Sequence, residues 1–298
     1  MDTIDDLAAL MLRHSPEQGI QATAIPRLWL IRGDAPTMPV PAVYEASLCL
    51  IAQGSKCVAL GDLELVYDAS RFLVVSVDLP IVGRVIDASA ERPYLCCKLD
   101  LDLRVLADLV LETQRPVRGD AAPVLAAHPS DGALIDAVAR LVRLLGEPDA
   151  MPVLAPLIER EILWRLLAGP HGGTLRNLVA GDTHLRQVAR AIALIRERYA
   201  EPVRIEEIAA VAGMSASSLH AHFRAITRVT PLEYQKQLRL QEARRLMLVE
   251  GKAAGAAGFA VGYDSPSQFS REYRRLFGAP PREDVERLLV AGERAAAA

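Results

Sequence analysis

Two adjacent segments near the C-terminus carry the same pattern of a helix, a stop and a second helix. The first is IEEIAAVAGMSASSLHAHF, beginning at Ile205, and the second is AAGFAVGYDSPSQFSREY, beginning at Ala256. In each, a small residue stands four positions before a glycine, as a helix-turn-helix requires where two helices cross closely and the chain turns with positive φ. Two ordinary helical hairpins would share this spacing only by chance. The repeat predicts two helix-turn-helix units, at about 205–227 and 254–278.

The second helix of each unit has a defined start and one buried stripe. Ser215 and Ser265 are predicted N-caps, and Pro266 occupies the first helical position of the second copy. Apolar residues stand four and eight positions after each cap, so one face of each helix should be buried. The opposite faces then present two sets of outward side chains, which are Ser217, His220 and Ala221 in the first unit and Ser267, Gln268 and Arg271 in the second.

Two longer strings lie within the segment at about 190–281. They are MSASSLHAHFRAITRVTPLEYQKQLRLQEARRLM and VGYDSPSQFSREYRRLFGAPP. Together they resemble the DNA-binding domain of AraC/XylS-type transcription regulators, and the second string is close to the family signature over its whole length. The resemblance implies a sequence-specific transcription regulator that binds double-stranded promoter DNA. It favours activation over repression, and an activator would have RNA polymerase as a further partner.

In the family that the chain resembles, outward residues of each recognition helix meet the bases. The six outward side chains named above are therefore expected to read bases, and Arg271 can contact guanine and Gln268 adenine in bidentate fashion. Four further arginines are assigned to phosphates, where they supply affinity and salt dependence: Arg224, Arg228, Arg274 and Arg275. A connecting helix from Pro231 to Val249 has no interior Gly or Pro. It can hold the recognition helices about 34 Å apart, one turn of DNA.

The first helix of the second unit is rich in glycine. Its string GKAAGAAGFAVG holds three glycines before the turn glycine, and each interior Gly costs about 1 kcal/mol relative to Ala. Gly258 fits the position where the helices cross, whereas Gly255 has no such reason. We therefore expect the second unit to be the looser one and hypothesise that it orders fully only on DNA.

The N-terminal half is rich in short apolar runs separated by turn residues. After an opening helix at about 4–12, seven runs are typical of strands: RLWLI, VYEASLCLIA, KCVAL, LELVY, RFLVVSVD, IVGRVI and YLCCKLDL. Seven short strands at close spacing predict an antiparallel sandwich or barrel. Three amphipathic helices follow, LDLRVLADLVLE and then about 133–145 and 153–168. They either cover the barrel or form a surface for a homodimer.

The string EASLCLIAQGSKCVALGDLELVYDASRFLVVSVDLPIVGRVIDASAERPYL resembles the cupin-like N-terminal domain of one subgroup of the same regulator family. The resemblance implies an α+β chain, with a cupin-like antiparallel β-barrel and trailing helices at 1–168 that serve regulation or dimerisation. An all-α DNA-binding domain with two helix-turn-helix units follows at 185–290, and its first helix is predicted at about 185–199. The segment GPHGGTLRNLVAGDTH, at 169–184, is rich in Gly and polar residues and is predicted as a linker. Residues 291–298 are predicted as a tail.

The main alternative is a barrel enzyme that carries a DNA-binding tail. Metal-dependent cupins need imidazole and carboxylate ligands on neighbouring strands, yet none of the six histidines lies between residues 40 and 101. A GxSxG elbow, a phosphate-cradling loop and an HExxH helix are also missing from the sequence. The sequence thus predicts no catalytic residues, no metal and no cofactor. It favours a metal-free barrel pocket for a small-molecule effector.

Charge is distributed unevenly along the chain. Residues 184–298 hold 18 Lys and Arg against 13 Asp and Glu, a net charge of +5, and since the whole chain carries −3, residues 1–183 carry −8. A basic half joined to an acidic half suits a DNA reader attached to a domain that stays off DNA. The other alternative, a non-specific architectural DNA binder, is opposed by this modest charge.

The cysteines and the N-terminus bear on the cellular compartment. Cys49, Cys57, Cys96 and Cys97 fit no zinc template and are expected to be reduced, buried thiols, with a redox role for the Cys96–Cys97 pair left as an alternative. The N-terminal MDTIDDLAALMLRHSP is not a secretion signal, and no apolar run is long enough for a bilayer. We therefore expect a cytoplasmic protein, and its length of 298 residues is enough for two domains with separate cores.

Overall fold

The computed structural model describes residues 2–113, 123–180 and 183–290. The predicted tail at 291–298 lies outside the described residues. Within these residues, helix α1 (Ile4–His14) comes first and ten strands follow, the tenth of them after a second helix. They are β1 (Gly19–Ala22), β2 (Leu28–Gly33), β3 (Val40–Tyr44), β4 (Ser47–Gln53), β5 (Ser55–Leu60), β6 (Leu63–Asp68), β7 (Arg71–Val75), β8 (Leu79–Asp87), β9 (Tyr94–Asp100) and β10 (Leu125–Pro129).

The described strands form two antiparallel sheets whose inner residues share one hydrophobic cluster, and we call this pair of sheets the barrel. The larger sheet has the order β1-β2-β9-β4-β7-β10 and the smaller one β3-β8-β5-β6. Seven strands were predicted, and the string VYEASLCLIA breaks into β3 and β4. The missed strands β1, β3 and β10 all lie at sheet edges. Edge strands are short and tolerate Gly and Pro. In these strands, Gly19, Pro41 and Pro129 interrupt the run of apolar residues by which a strand is recognised in the sequence.

The larger sheet is buried on both faces. Along β4, Leu48, Leu50 and Ala52 pack into one hydrophobic cluster with α1 and the later helices. Cys49 and Ile51 point into the barrel and join a second cluster. This alternation follows from the two-residue period of a strand. It is also why the β4 string is almost continuously apolar.

Four helices follow on the outer face of this sheet: α2 (Leu103–Thr113), α3 (Gly132–Arg143), α4 (Met151–Ala168) and α5 (Gly172–Val179). Helix α5 falls inside the segment predicted as a linker, and that prediction is wrong for these residues, since Leu175 and Leu178 are buried. The glycines were misinterpreted as a sign of flexibility. Gly172 instead permits a close approach, because a Cβ there would lie 1.9 Å from the Leu167 carbonyl oxygen.

The C-terminal part is entirely helical within the described residues: α6 (His184–Glu197), α7 (Ile205–Ala212), α8 (Ala216–Thr227), α9 (Pro231–Val249), α10 (Ala254–Ala260), α11 (Pro266–Phe277) and α12 (Pro281–Val290). The predicted fold class, an α+β chain with an antiparallel N-terminal β domain and a helical C-terminal domain, is confirmed. None of the described helices is long and apolar enough to cross a membrane.

The expectation of two separate cores is only half right. Residues of α6 to α9, among them Ile192, Phe223 and Tyr234, belong to the same hydrophobic cluster as the barrel interior. The end of α9 packs with α10 and α11 in a separate cluster that includes Phe269 and Tyr273. The first helix-turn-helix unit therefore shares a core with the barrel, whereas the second has its own core, although its helix α11 also lies beside β3.

Candidate nucleic-acid interface

Both units turn through glycine and restart at a serine. Gly213 and Gly262 have φ values of +69° and +86°, which only glycine adopts without strain. The Ser215 hydroxyl accepts a hydrogen bond from the backbone N–H of Ser218 at 3.2 Å, and Ser265 accepts one from Gln268 at 3.3 Å. One residue separates glycine from cap in the first unit and two do so in the second. The units match at their caps and differ slightly in their turns.

The second helices, α8 and α11, each bury one stripe. In each helix, three residues spaced four apart are buried. They are Leu219, Phe223 and Thr227 in α8 and Phe269, Tyr273 and Phe277 in α11. All ten residues predicted to face DNA are exposed: Ser217, His220, Ala221, Arg224, Arg228, Ser267, Gln268, Arg271, Arg274 and Arg275. Counted from the caps, Ala221 corresponds to Arg271. Their roles towards bases and phosphates stay a prediction.

Gln268 has a partner that the sequence analysis missed. Its side-chain N–H donates to Glu272 at 3.3 Å, and Glu272 also accepts from the Tyr263 hydroxyl at 2.8 Å and lies 3.5 Å from the Lys236 ammonium. Burial raises the pKa of the Glu272 carboxyl, but the bonds from Tyr263 and Gln268 and the charge of Lys236 together hold it below its ordinary value. This ionised group orients the Gln268 amide. The spacing of four residues on one helix was the available signal.

The two second helices end in the same left-handed conformation. Gly278 follows α11 with φ +81°, and Arg228 follows α8 with φ +64°. An arginine there carries backbone strain that glycine avoids. Arg228 also lies against the turn between β5 and β6, since a Cβ on Gly61 would come within 3.1 Å of the Arg228 Cβ. Arg228 is thus placed between the barrel and the face predicted to meet DNA.

Arg239 on α9 ties the two units together. Its guanidinium donates to the carbonyl oxygens of Tyr199 at 2.6 Å, Glu201 at 2.9 Å and Gly262 at 2.9 Å. The first two carbonyls precede the first unit, and Gly262 is the turn of the second. Planar Arg can satisfy three acceptors at once. Arg239 therefore helps to fix the relative orientation of the units, and because its partners are backbone atoms, no sequence pattern reveals this role.

The second unit is closed by a buried ion pair. Asp284 of α12 accepts from Arg244 of α9 at 2.9 and 3.1 Å and from the Tyr273 hydroxyl at 2.8 Å. Asp284 is fully buried, and Arg244 is 5% exposed. The Arg244 guanidinium also lies 4.4 Å from the centre of the Phe277 ring. These contacts join the connecting helix, α11 and α12 into one structure.

The barrel is docked onto α6 and α9 through polar contacts. Arg196 of α6 pairs with Glu45 at 2.5 Å and also with Asp78. The Gln241 side chain of α9 accepts from the backbone N–H of Val43 at 2.7 Å. The Tyr234 hydroxyl donates to the Asp78 carbonyl at 3.2 Å. The edge strand β3 is thereby covered by the helix that connects the two units.

A cavity of about 570 Å³ opens between the barrel and these helices. Barrel side chains such as Trp29, Tyr67 and Cys96 form its walls, together with Leu238 and Gln241 of α9.

All four cysteines are free and buried, as predicted. Cys96 and Cys97 belong to clusters on opposite faces of the sheet, which argues against a vicinal redox pair. No group of three or more His, Cys, Asp or Glu among the described residues could hold a metal ion.

Comparisons with known proteins cover both halves of the chain. Residues 24–174 match the family of AraC-type transcriptional regulator N-termini, and residues 208–287 match a helix-turn-helix domain. The regulator ArgR of Pseudomonas aeruginosa is 32% identical over 46% of this chain and 48% of its own length. The activator RhaS of Escherichia fergusonii is 31% identical over 49% and 52%. The chain thus spans about half the length of the curated relatives it matches.

A likeness to solved structures covers most of the chain. An apo form of ToxT from Vibrio cholerae strain SCE256, carrying one substitution, aligns with a TM-score of 0.61 and 11% identity over 89% of this chain and 99% of that one. ToxT bound to (E)-4-(8-methylnaphthalen-1-yl)but-3-enoic acid aligns with the same TM-score over 91% and 100%. At such low identity the likeness shows the fold alone.

Proposed function

Because the chain belongs to the family of AraC-type DNA-binding transcriptional regulators, we propose that it reads two successive major grooves of promoter DNA through α8 and α11. The observation that carries this proposal is the matched geometry of the two units. Each presents a serine-capped helix with a buried stripe on one side and an exposed polar face on the other. A protein with one functional unit has no need of the second capped and exposed face.

The connecting helix supplies the spacing. Helix α9 has 19 residues and is therefore about 28 Å long, comparable to the turn of about 34 Å that separates successive major grooves on one DNA face. Arg239 holds the turn of the second unit against the chain that enters the first. Because this separation is rigid, α8 and α11 can enter two successive major grooves of the same stretch of DNA.

We assign different weights to the two recognition helices. In α11, Gln268 and Arg271 can each make a bidentate contact to adenine or guanine, worth about 1–3 kcal/mol of discrimination, with Ser267 beside them. In α8, the readers are Ser217, His220 and Ala221, which offer weaker chemistry. The phosphate contacts are assigned to Arg224, Arg228, Arg274 and Arg275. The second unit then contributes most of the sequence choice.

Selection of bound sites from random DNA tests these roles. With Arg271→Ala the preference should relax at one position while the rest of the selected site survives. Arg274→Ala, a matched loss of charge on the same exposed helix, should weaken binding to all sequences alike and reduce the slope of log affinity against log salt by about 1. A uniform loss for Arg271→Ala would reassign it to phosphate. The absence of any enriched site would refute sequence-specific binding.

We further propose that a small molecule controls the regulator through the barrel. The cavity supports this, since its walls come from the barrel and from α9, so an occupant would touch both halves. ToxT, which shares the fold, has been crystallised with an unsaturated fatty acid bound.

Activation is favoured because RhaS relatives are named as activators, and RNA polymerase would then be a partner. Transcription in vitro from a promoter that carries the selected site tests activation, and repression of that transcription would refute it.

A further inference from the structure

Two of the four buried thiols lie on the same face of the larger sheet. Strands β4 and β9 pair so that Cys49 lies opposite Lys98 and Ile51 lies opposite Cys96. Because residues two positions apart on a strand share a face, Cys49 and Cys96 are diagonal neighbours, and both belong to the cluster of the barrel interior. Both also line the cavity. Cys97, the next residue, belongs to the cluster on the other face.

The two thiols of this pair differ in acidity. The hydrogen bond from Cys96 and the positive charge of Lys56 outweigh burial and lower the pKa of Cys49 below its ordinary value. The same contact, together with burial, raises the pKa of Cys96 well above its ordinary value. The pair therefore carries its negative charge on Cys49. Since the thiolate is the nucleophile of cysteine chemistry, Cys49 is the reactive member and Cys96 is a thiol in contact with it.

Lys56 of β5 supplies the positive charge beside the pair. Its ammonium nitrogen lies 5.1 Å from the centre of the Tyr44 ring and 5.9 Å from that of Tyr94. Burial lowers the pKa of Lys56, but Tyr44, Cys96 and Cys49 outweigh burial and raise it above its ordinary value. The ammonium is therefore charged at neutral pH, and the groups that favour its charge are a phenol and two thiols rather than a carboxylate.

The same part of the cavity holds a buried hydroxyl that needs an acceptor. The Tyr94 side chain is fully buried, and its hydroxyl lies near the Cys96 thiol. It makes no well-aligned hydrogen bond to any described residue. A buried hydroxyl is destabilising until an acceptor reaches it. The oxygen of a hydroperoxide, or of an oxidised cysteine, is an acceptor that fits this position.

We propose that Cys49 and Cys96 form a redox pair that a hydroperoxide oxidises to a disulfide, and that this oxidation loosens the contact between β3 and α9. The Cys49 thiolate attacks the terminal oxygen of the hydroperoxide, so that the O–O bond breaks, an S–O bond forms and the alkoxide leaves with a proton from water as an alcohol. The Cys96 sulfur then attacks the Cys49 sulfur, the S–O bond breaks, and the oxygen leaves as water with the Cys96 proton. The two sulfurs together lose two electrons, which reduce the hydroperoxide.

Closing the disulfide must move the strands that carry it. Diagonal neighbours on antiparallel strands have Cβ atoms about 7–8 Å apart or somewhat less, whereas a disulfide needs about 3.5–4.5 Å. Strands β4 and β9 therefore draw together next to the cavity, close to where their pairing already shifts between Ile51 and Gln53. A disulfide that holds its strands in this way is readily reopened by thiols, so the change is reversible.

Oxidation also changes the surroundings of Lys56. A disulfide is neutral, so the ammonium loses the thiolate that offsets its charge. Lys56 is closely packed with Tyr44 of β3, because a Cβ on Gly83 would lie 2.2 Å from the Tyr44 hydroxyl oxygen and 3.1 Å from Cε of Lys56. The preceding residue, Val43, is bonded to Gln241 of α9. A shift of Lys56 therefore acts on the contact between β3 and α9, whether or not α8 and α11 read DNA.

Peptide mass spectrometry on the full chain tests the pair. Reduced protein is treated with hydrogen peroxide or cumene hydroperoxide, free thiols are blocked with N-ethylmaleimide under denaturing conditions, and linked peptides are mapped. We expect a bond between Cys49 and Cys96 that dithiothreitol reverses, with Cys57 and Cys97 still alkylated. Cys96→Ser should stop at a sulfenic acid on Cys49 that dimedone traps. Cys97→Ser is the matched control on the opposite face and should leave the bond unchanged. No bond in the wild type, or a bond through Cys57 or Cys97, would overturn the proposal.

The pH dependence of oxidation tests the role of Lys56. The oxidation rate of the wild type should level off at a lower pH than the value of about 8.5 expected for a free cysteine. Lys56→Met should move this profile to higher pH and slow oxidation at pH 7 by about tenfold, since each unit of pKa changes the thiolate fraction about tenfold. Lys56→Arg should restore the wild-type profile. Arg84→Met is the control, because Arg84 lines the cavity but is paired with Glu64. An unchanged profile for Lys56→Met would remove Lys56 from the site.

Hydrogen exchange tests the effect on the fold. In oxidised wild-type protein the amides of β3 should exchange faster than in reduced protein, while exchange along α3 stays the same. Cys49→Ser treated with the same hydroperoxide should show no change along β3. Equal exchange along β3 in oxidised and reduced wild type would overturn the link between the thiol pair and α9.

Discussion

Replacing Asp284 with alanine should unfold the second helix-turn-helix unit and leave the first one folded. The Asp284 carboxylate is fully buried and accepts hydrogen bonds from Arg244 and Tyr273. Without it, the 5%-exposed Arg244 guanidinium keeps its charge in the interior with no counter-ion. Loss of one partner of a buried ion pair costs about 3–5 kcal/mol. That is a large share of the roughly 5–15 kcal/mol that typically stabilises a whole domain.

The damage should stay local because the cores are separate. Phe269 and Tyr273 pack in a cluster that contains neither α8 nor the barrel, whereas Phe223 packs in the cluster of the barrel interior. Hydrogen exchange should therefore speed up along α11 and α12 and remain slow along α8. In DNA binding, the half-site read by Gln268 and Arg271 should be lost, while the half-site of the first unit is retained.

A control on the same carboxylate makes the magnitude testable. Arg287 also pairs with Asp284, at 2.6 Å, but its side chain is 54% exposed, and an exposed pair is worth about 0–1 kcal/mol. Arg287→Met should therefore change the free energy of unfolding in urea by no more than about 1 kcal/mol. If Asp284→Ala costs as little as Arg287→Met, or if both units lose protection together, the reasoning is refuted.

Five further outcomes are expected. Gly258→Ala would place a Cβ 2.9 Å from the Phe269 ring and should destabilise the protein by about 1–3 kcal/mol. Gly255→Ala meets nothing within 4 Å and should stabilise it by up to about 1 kcal/mol; urea titrations showing the reverse order would contradict both. Arg228→Gly relieves a φ of +64° and should add about 1 kcal/mol of stability. The same change should weaken DNA binding because Arg228 is assigned to a phosphate, so an unchanged DNA affinity would remove the phosphate-binding role of Arg228. His171, just before α5, is buried and its ring shares a hydrogen bond with the Ser76 hydroxyl. Burial lowers its pKa from the ordinary 6.5 to about 3, so its contribution to stability is complete above pH 6.5 and falls by about 1.4 kcal/mol per pH unit as the pH drops towards the folded value. If a His171→Gln variant loses stability with the same slope in acid, this expectation is refuted. The glycine-rich second unit should exchange its amide hydrogens faster than the first in free protein and be protected on DNA, and equal protection in the free protein would end that hypothesis.

The sequence by itself determined the two helix-turn-helix units and the central strands. Their determinants are local: a serine cap bonds to an N–H three residues on, a turn glycine needs only its own φ, and a buried stripe repeats every turn. Gly258 belongs to the same class, since its tight contact is with Phe269 in the next helix of its own unit. Such interactions join residues close in the chain, so their spacing is visible in the printed letters.

Only the tertiary structure decided how the two halves of the chain meet. Gly172 was mistaken for a linker residue because the Leu167 carbonyl it approaches leaves no trace in the sequence. Arg239 bonds to backbone oxygens more than twenty residues away, and backbone atoms carry no residue identity. Arg244 finds its buried counter-ion, Asp284, forty residues further along the chain, because whether a buried charge is paired depends on distances across the whole fold.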